Sequence, residues 1–319
     1  MATTFDGTNA VVASAVGDFI PELWSDEVIA TYKANLVLPQ LVTVMPFTGK
    51  KGDTVHIPKP TRGSGSAKVA ANTVTLIAGA SSSFDMTIGT HWEYSRLIED
   101  IVSIQALDSL RQFYTDDAGY ALARKVDSDL HALGALFAAG DAAPTVAGTA
   151  YSKAFIGGDA TTAWNSATTG NGTALTDAGI RQAIQHLDDS DVPSRMRAFV
   201  IPPVEKRKLL GIARFTEQAF TGEVGSGNSI RNGLVGDLYG IPVYVSTNVP
   251  VVLAADTTTE YRPVLLFQKD AMIHAEQLAP RTQTQYKQEF LADLFTADML
   301  YGNGVPRPEA GVALMVPNA

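Results

Sequence analysis

The chain has 319 residues, of which 45% are hydrophobic and 8% aromatic, enough apolar material for one large domain or two smaller ones and too much for a disordered chain. Its 24 Lys+Arg against 33 Asp+Glu leave a net charge of −9, so counterion release opposes non-specific nucleic-acid binding, and a dedicated DNA or RNA reader is excluded as the leading reading. Cysteine is absent and only 18% of residues are charged: the first removes disulfides, thiolate metal sites and cysteine nucleophiles, and the second, against ~25% in ordinary soluble domains, leaves a neutral surface suited to being covered.

Residues 1–19 are small and weakly apolar and read as an N-terminal arm that orders on docking. They carry no basic segment followed by an apolar one, so no signal peptide is visible. Pro21 opens a short amphipathic helix whose face holds Leu23, Val28, Tyr32 and Leu36. From residue 49 to 90 the texture changes: Thr54-Val55-His56-Ile57-Pro58 and Phe84-Asp85-Met86-Thr87-Ile88 alternate as strands. The Gly/Ser-rich span 62–83 lies between them, with one apolar patch at residues 74–77. Two strands around so long a connection predict an extended hairpin projecting from the body.

The strongest helical pattern covers 103–138, with an apolar stripe at Leu107, Leu110, Tyr114, Ala118, Leu122, Val126, Leu130, Leu133 and Phe137. Asp108, Arg111, Asp116, Arg124, Lys125 and Asp127 fall largely off it. Such a rod would be roughly 50 Å long, more than a small domain needs and suited to the spine of a shell subunit. Residues 139–175 read as irregular. Beyond them, Thr176 caps a helix, Ala198-Phe199-Val200-Ile201 is a buried strand, Pro203 starts a second helix and Ile241–Val245 is a strand. Strands at 264–267, 272–276 and 311–316 end a strand-rich C-terminal third. The uncharged run 238–255 is broken by Gly240, Pro242, Asn248 and Pro250, so no membrane helix is expected there.

The chemistry-bearing residues do not form a site. The five histidines, His56, His91, His131, His186 and His274, are dispersed, without metal-ligand spacing. Gly63-Ser64-Gly65-Ser66 lacks the context of a nucleophile elbow, and Gly222-Glu223-Val224-Gly225-Ser226-Gly227 misses the dinucleotide spacing. Asp188, Asp189 and Asp191 read as a solvated turn, although Asp188 and Asp189 with His186 are the residues an enzymatic reading, a hydrolase, would use. Neither an enzyme activity nor a cofactor is expected. A spine helix, a projecting hairpin, an arm and little charge describe instead a part that touches copies of itself; a β-rich appendage protein is a further reading.

In the same order along the chain, Ile20-Pro21-Glu22-Leu23-Trp24-Ser25-Asp26-Glu27-Val28, Lys33-Ala34-Asn35-Leu36-Val37 and Gly52-Asp53-Thr54-Val55-His56-Ile57-Pro58 are similar to segments of tailed-bacteriophage major capsid (coat) proteins of the Hong Kong 97-type fold. The most specific stretch is Gly233-Leu234-Val235-Gly236-Asp237-Leu238-Tyr239-Gly240-Ile241-Pro242-Val243-Tyr244-Val245-Ser246-Thr247-Asn248-Val249-Pro250, which resembles the turn and strand of that family's axial domain. Gly236 and Gly240 suit turn geometries closed to other residues.

The resemblance implies an α+β fold with an N-terminal arm at 1–19 and a peripheral domain in three parts, 20–47, 91–139 with the spine helix, and 263–319. The E-loop hairpin would be 48–90 and the axial domain 140–262. It implies assembly through hexamers and pentamers into an icosahedral shell around double-stranded DNA, held without sequence-specific binding. The shell would sit in the virion and be assembled in the host cytoplasm. A nanocompartment (encapsulin-like) shell of the same fold is the alternative. Lys50, Lys51, Asp53, Lys59, Arg62 and Lys68 place mostly positive charge on the E-loop of an acidic protein, which makes them the candidate inter-subunit contacts. A separate scaffolding protein is expected, because only 19 residues precede the first motif, together with a portal and a possible decoration protein. No covalent crosslink is expected from the E-loop lysines, and residues 215–232 are the first choice for the loop at the capsomer centre.

Overall fold

The computed structural model describes residues 10–11, 36–47, 52–60, 65, 67–68, 70, 73, 81–99, 109–140, 151–212 and 236–318. The helix expected after Pro21, the apolar patch at 74–77 and the loop 215–232 lie outside them. In chain order the strands are β1 (Ala10–Val11), β2 (Thr43–Pro46), β3 (Thr54–Pro60), β4 (Ser81–Thr87), β5 (Thr90–Glu99), β6 (Phe155–Ile156) and β7 (Arg197–Ile201). They continue as β8 (Asp237–Leu238), β9 (Ile241–Val245), β10 (Val252–Leu253), β11 (Glu260–Gln268), β12 (Ile273–Lys287), β13 (Ala292–Gly304) and β14 (Gly311–Pro317). The helices are α1 (Leu38–Leu41), α2 (Ser109–Leu133), α3 (Asp177–Asp189) and α4 (Pro203–Leu209).

Two sheets and a hairpin organise these elements. A five-stranded sheet runs β1-β5-β13-β12-β2, and a seven-stranded sheet runs β6-β14-β11-β7-β9-β8 with β10 on β11. β3 and β4 pair only with each other, from Thr54↔Thr87 to Pro60↔Ser81, and form the expected projecting hairpin. Its root packs Met86 and Ile88 with Ile273 and Ala275, while Phe84, Val55 and Ile57 lie partly buried against them. The strand pairing cuts across the border expected at residue 263: β11 and β14 belong to the sheet of β7 and β9, whereas β12 and β13 join β5 and β2. The C-terminal segment is thus shared between the two sheets.

Alternation along β5 and β13 explains how the five-stranded sheet holds the spine. Trp92, Tyr94 and Arg96 on β5, and Phe295, Ala297, Met299 and Tyr301 on β13, alternate onto one face. Tyr94 donates its hydroxyl to Asp117 (3.0 Å) and Tyr301 to Asp129 (2.6 Å), both on α2. Arg96 lies 4.8 Å from the centre of the Tyr114 ring, and Lys125 lies 4.7 Å from that of Trp92. On α2, Tyr114, Ala118, Leu122, Val126 and Leu130 are buried as the apolar stripe predicts.

Two expectations for the spine need correction. The α-helix ends at Leu133 and passes through a 3₁₀ turn, Gly134–Leu136, before Phe137 becomes extended. Its 25 described residues, from Ser109, span about 38 Å, and residues 103–108 of the expected rod lie outside the described residues. The reason is close packing: a Cβ on Gly134 would stand 2.4 Å from Leu265 Cδ2, and Phe137 turns away to lie against Phe267, with ring centroids 5.9 Å apart. Asp127, expected off the buried stripe, is fully buried, as is His131 one turn later, so the covered face widens toward the C-terminal end.

Three further local expectations hold. Thr176 Oγ1 accepts the Gly179 N–H (3.1 Å) and caps α3. β7 is buried along its whole length, and Gly236 and Gly240 take the positive φ of +66° and +77° that their turns require.

Candidate functional site

The hairpin and the sheet next to it carry a set of exposed polar and apolar side chains. On β3 and β4, His56 Nδ1 pairs with Asp85 Oδ1 across the strands at 2.6 Å. Ser82 Oγ donates to the Lys59 carbonyl (3.2 Å). At the root, Ile88 N–H donates to the Asp53 carbonyl (2.7 Å) and Gln277 Nε2 to that of Gly52 (2.9 Å). A cleft of about 590 Å³ separates the outer part of the hairpin from the body, between Ile57, Lys59 and Phe84 on one side and Val192, Pro193 and Arg307 on the other.

Of the six candidate contact residues, Lys50, Lys51 and Arg62 lie outside the described residues. Asp53, Lys59 and Lys68 are exposed. Asp53 and Lys59 sit at opposite ends of β3, and Lys59 Nζ reaches across the cleft to Glu309 Oε1 of its own body at 3.4 Å. The structure therefore gives Lys59 an intramolecular partner that its position in the sequence did not suggest. An exposed pair of this kind contributes little to stability.

A second projecting element was not legible in the sequence: β12 and β13 form a long hairpin reaching from Ile273↔Gly304 to Lys287↔Ala292. β2 covers the outer edge of β12 only from Ile273 to Glu276, and residues 279–286 are exposed. Tyr286, Phe290 and Leu291 expose 45%, 37% and 65% of their surface at or beside its turn, an apolar tip of the kind that marks an interaction site. On the face of this sheet away from the spine, Arg281 Nε and Nη2 grip Asp298 Oδ1 and Oδ2 at 2.8 and 3.0 Å, and His91 Nε2 approaches Oδ2 at 3.1 Å. The Arg281 hydrogen bonds, and then that of His91, hold the Asp298 carboxyl below the usual carboxylate range. The partial alternation of Leu294, Thr296, Asp298 and Leu300 against Phe295, Ala297, Met299 and Tyr301 is the signal that could have found β13.

Two of the residues weighed as catalytic candidates, Asp188 and His186, have structural partners. Asp188 Oδ1 accepts from Arg197 Nη2 at 2.6 Å. His186 stacks on Phe155, with ring centroids 4.8 Å apart, and its Nε2 donates to the Ala160 carbonyl at 2.7 Å. Among the described residues no three His, Asp or Glu side chains are grouped to hold a metal ion, and no helix is long and apolar enough to cross a membrane.

The polar centre the sequence hid lies under the spine. Asp127 Oδ1 accepts the N–H groups of Val37 (3.2 Å) and Leu38 (2.9 Å), and Oδ2 accepts Asn248 Nδ2 (2.9 Å). One carboxylate thereby ties the start of α1, the spine and the loop after β9.

Comparison with known proteins places this architecture. Residues 98–314 match the family described as phage capsid protein. The fold superposes on a structure from Mycobacterium phage Che8 with a TM-score of 0.68 and 23% identity, covering 93% of this chain and 97% of that one. The capsid of the cyanophage P-SCSP1u gives 0.68 and 18%, covering 100% of both chains. The mature capsid of bacteriophage PhiM1 gives 0.68 and 15%, covering 100% of this chain and 98% of that one. No curated protein matches the chain by sequence.

Proposed function

The chain belongs to the phage capsid protein family, and from that membership we propose that it is the major capsid protein of a tailed bacteriophage, assembling through hexamers and pentamers into an icosahedral shell around double-stranded DNA. Its fold is the α+β Hong Kong 97-like fold, its role is structural and its place is the virion capsid. The observation that carries the proposal is the reach of the family match, which runs from β5 through the spine to β14. The two projecting hairpins support it as well. Head-to-tail contacts between different surfaces close into rings, and rings tile a shell.

In this reading the β3–β4 hairpin is the E-loop and lies over a neighbouring copy. Lys50, Lys51, Asp53, Lys59, Arg62 and Lys68 are its contact residues, meeting acidic surface on that neighbour. The five-stranded sheet and spine form the peripheral domain, and the seven-stranded sheet forms the axial domain. Shell formation takes place in the host cytoplasm with a scaffolding protein, a portal and possible decoration protein as partners. The net charge of −9 keeps packaged DNA from adhering to the wall.

Negative-stain electron microscopy of the purified protein, expressed with and without the scaffolding partner, tests the reading. Uniform icosahedral particles, or rings of five and six subunits, are the expected result. Monomers and dimers alone under both conditions would overturn it. Particles that enclose a cargo protein in place of nuclease-protected DNA would assign the same shell to a nanocompartment.

A further inference from the structure

The Asp127 centre contains a second buried ionisable group, one turn along the spine. The side chains of Asp127 and His131 are both completely shielded from solvent, with Asp127 Oδ2 and His131 Nε2 3.7 Å apart. His131 Nε2 lies 3.2 Å from Ser246 Oγ, which itself accepts the Asn248 N–H at 3.2 Å. The Ser246 hydroxyl, with one donor and two lone pairs, meets Nε2 in either imidazole tautomer, while Nδ1 has no hydrogen-bond partner among the described residues. Tyr151 donates its hydroxyl to the His131 carbonyl at 3.1 Å.

The titratable and charged groups around His131 are few. Asp127 stands on its own helix, Tyr151 meets its carbonyl, and Arg262 of β11 reaches the same loop at the Val249 carbonyl, 3.3 Å away. Ser246 and Asn248, which face it from the loop after β9, are uncharged. Burial pushes the His131 imidazole down to about 4, against the opposing pull of Asp127. The site is built for a neutral ring.

A proton taken from solvent gives, from either tautomer, an imidazolium with N–H groups at both nitrogens. The Nε2–H of that cation has one strong acceptor within reach, Asp127 Oδ2, and the same carboxylate is holding α1. We propose that this turn of α2 is an acid-released clasp, in which a proton taken up by His131 draws the Asp127 carboxylate from the amides of Val37 and Leu38 and frees residues 36–41 from the spine. The clasp is a property of the single chain and does not depend on the shell reading.

Amide hydrogen exchange on the unassembled full-length protein tests it, with protection corrected for the intrinsic rate at each pH and with peptides from β14 as the internal reference. When opening exposes a histidine of ordinary affinity for protons, linkage requires the opening equilibrium of residues 36–41 to rise at least tenfold between pH 7 and pH 5. β14 should stay unchanged, and His131→Gln should lose the pH dependence while retaining protection at pH 7. An acid response equally large in His131→Gln, or none in the wild type, would overturn the proposal. If His131→Gln does not fold, the wild type still decides: the NMR signal of the His131 ring must titrate over the pH range in which residues 36–41 lose protection, and separate midpoints would overturn the proposal.

Discussion

Asp127 shows how much one buried carboxylate can organise. Two of its acceptor interactions satisfy N–H groups at the start of α1, a four-residue helix with no side-chain cap of its own, and the third fixes Asn248. Asp127→Ala would leave these donors without an acceptor in a dry site, at a cost of about 3 kcal/mol. Chemical denaturation should show that loss as a lower midpoint with an unchanged slope. Asp127→Asn retains one acceptor oxygen and should fall between the two. From the sequence Asp127 looks like part of the helix's wet face, because its partners lie 89, 90 and 121 positions away, and periodicity reports only the near neighbours on one helix.

At the scale of elements, the two hairpins separate what a short sequence window reveals from what it hides. β3 and β4 announce themselves by alternation, since one side of each strand packs at the hairpin root and the other faces solvent. The distal half of β12 is exposed on both faces, so no alternation marks it, and β13 is held by strands on both sides. The E-loop proposal predicts that Arg62→Glu or Lys68→Glu lowers shell yield, read by sedimentation, while circular dichroism of the monomer stays unchanged. Normal yields from both would remove the loop's charge from the assembly interface.

The β12–β13 tip gives a parallel test: Leu291→Asp should leave the thermal midpoint within about 2 °C, as expected for an exposed position, and reduce assembly. Further down the same hairpin, the depressed carboxyl of Asp298 contributes stability that is present above its unfolded value near 4 and lost as pH falls below it. Arg281→Ala should lower stability slightly at pH 7, as befits an exposed arginine. Urea titrations at pH 7 and pH 3 should show that difference shrinking in acid.

For the whole molecule, the ordered series of motifs was enough to reach the fold, while the division of labour between the two sheets was not readable. β11, β12, β13 and β14 follow one another closely in sequence, yet the first and last pair with β7 and β6, and the middle two pair with β5 and β2. Nothing in the composition of Val264, Leu265 and Leu266, set beside Met299, Leu300 and Tyr301, says which sheet each will enter. The choice is made by long-range partners, as it was for Asp127. The acidic triplet near residue 190 and the five histidines were read as structural, and the partners of Asp188 and His186 agree with that reading.

The place of β14 bears on when a new chain becomes competent to meet its copies. This strand lies inside the seven-stranded sheet, between β6 and β11, with Leu314, Met315 and Val316 completely buried, and it is translated after every other strand described. Until it arrives, β11 lacks a neighbour along one whole side and β6 lacks its strand partner. Without β14 the seven-stranded sheet is therefore unfinished, even where the hairpins have formed.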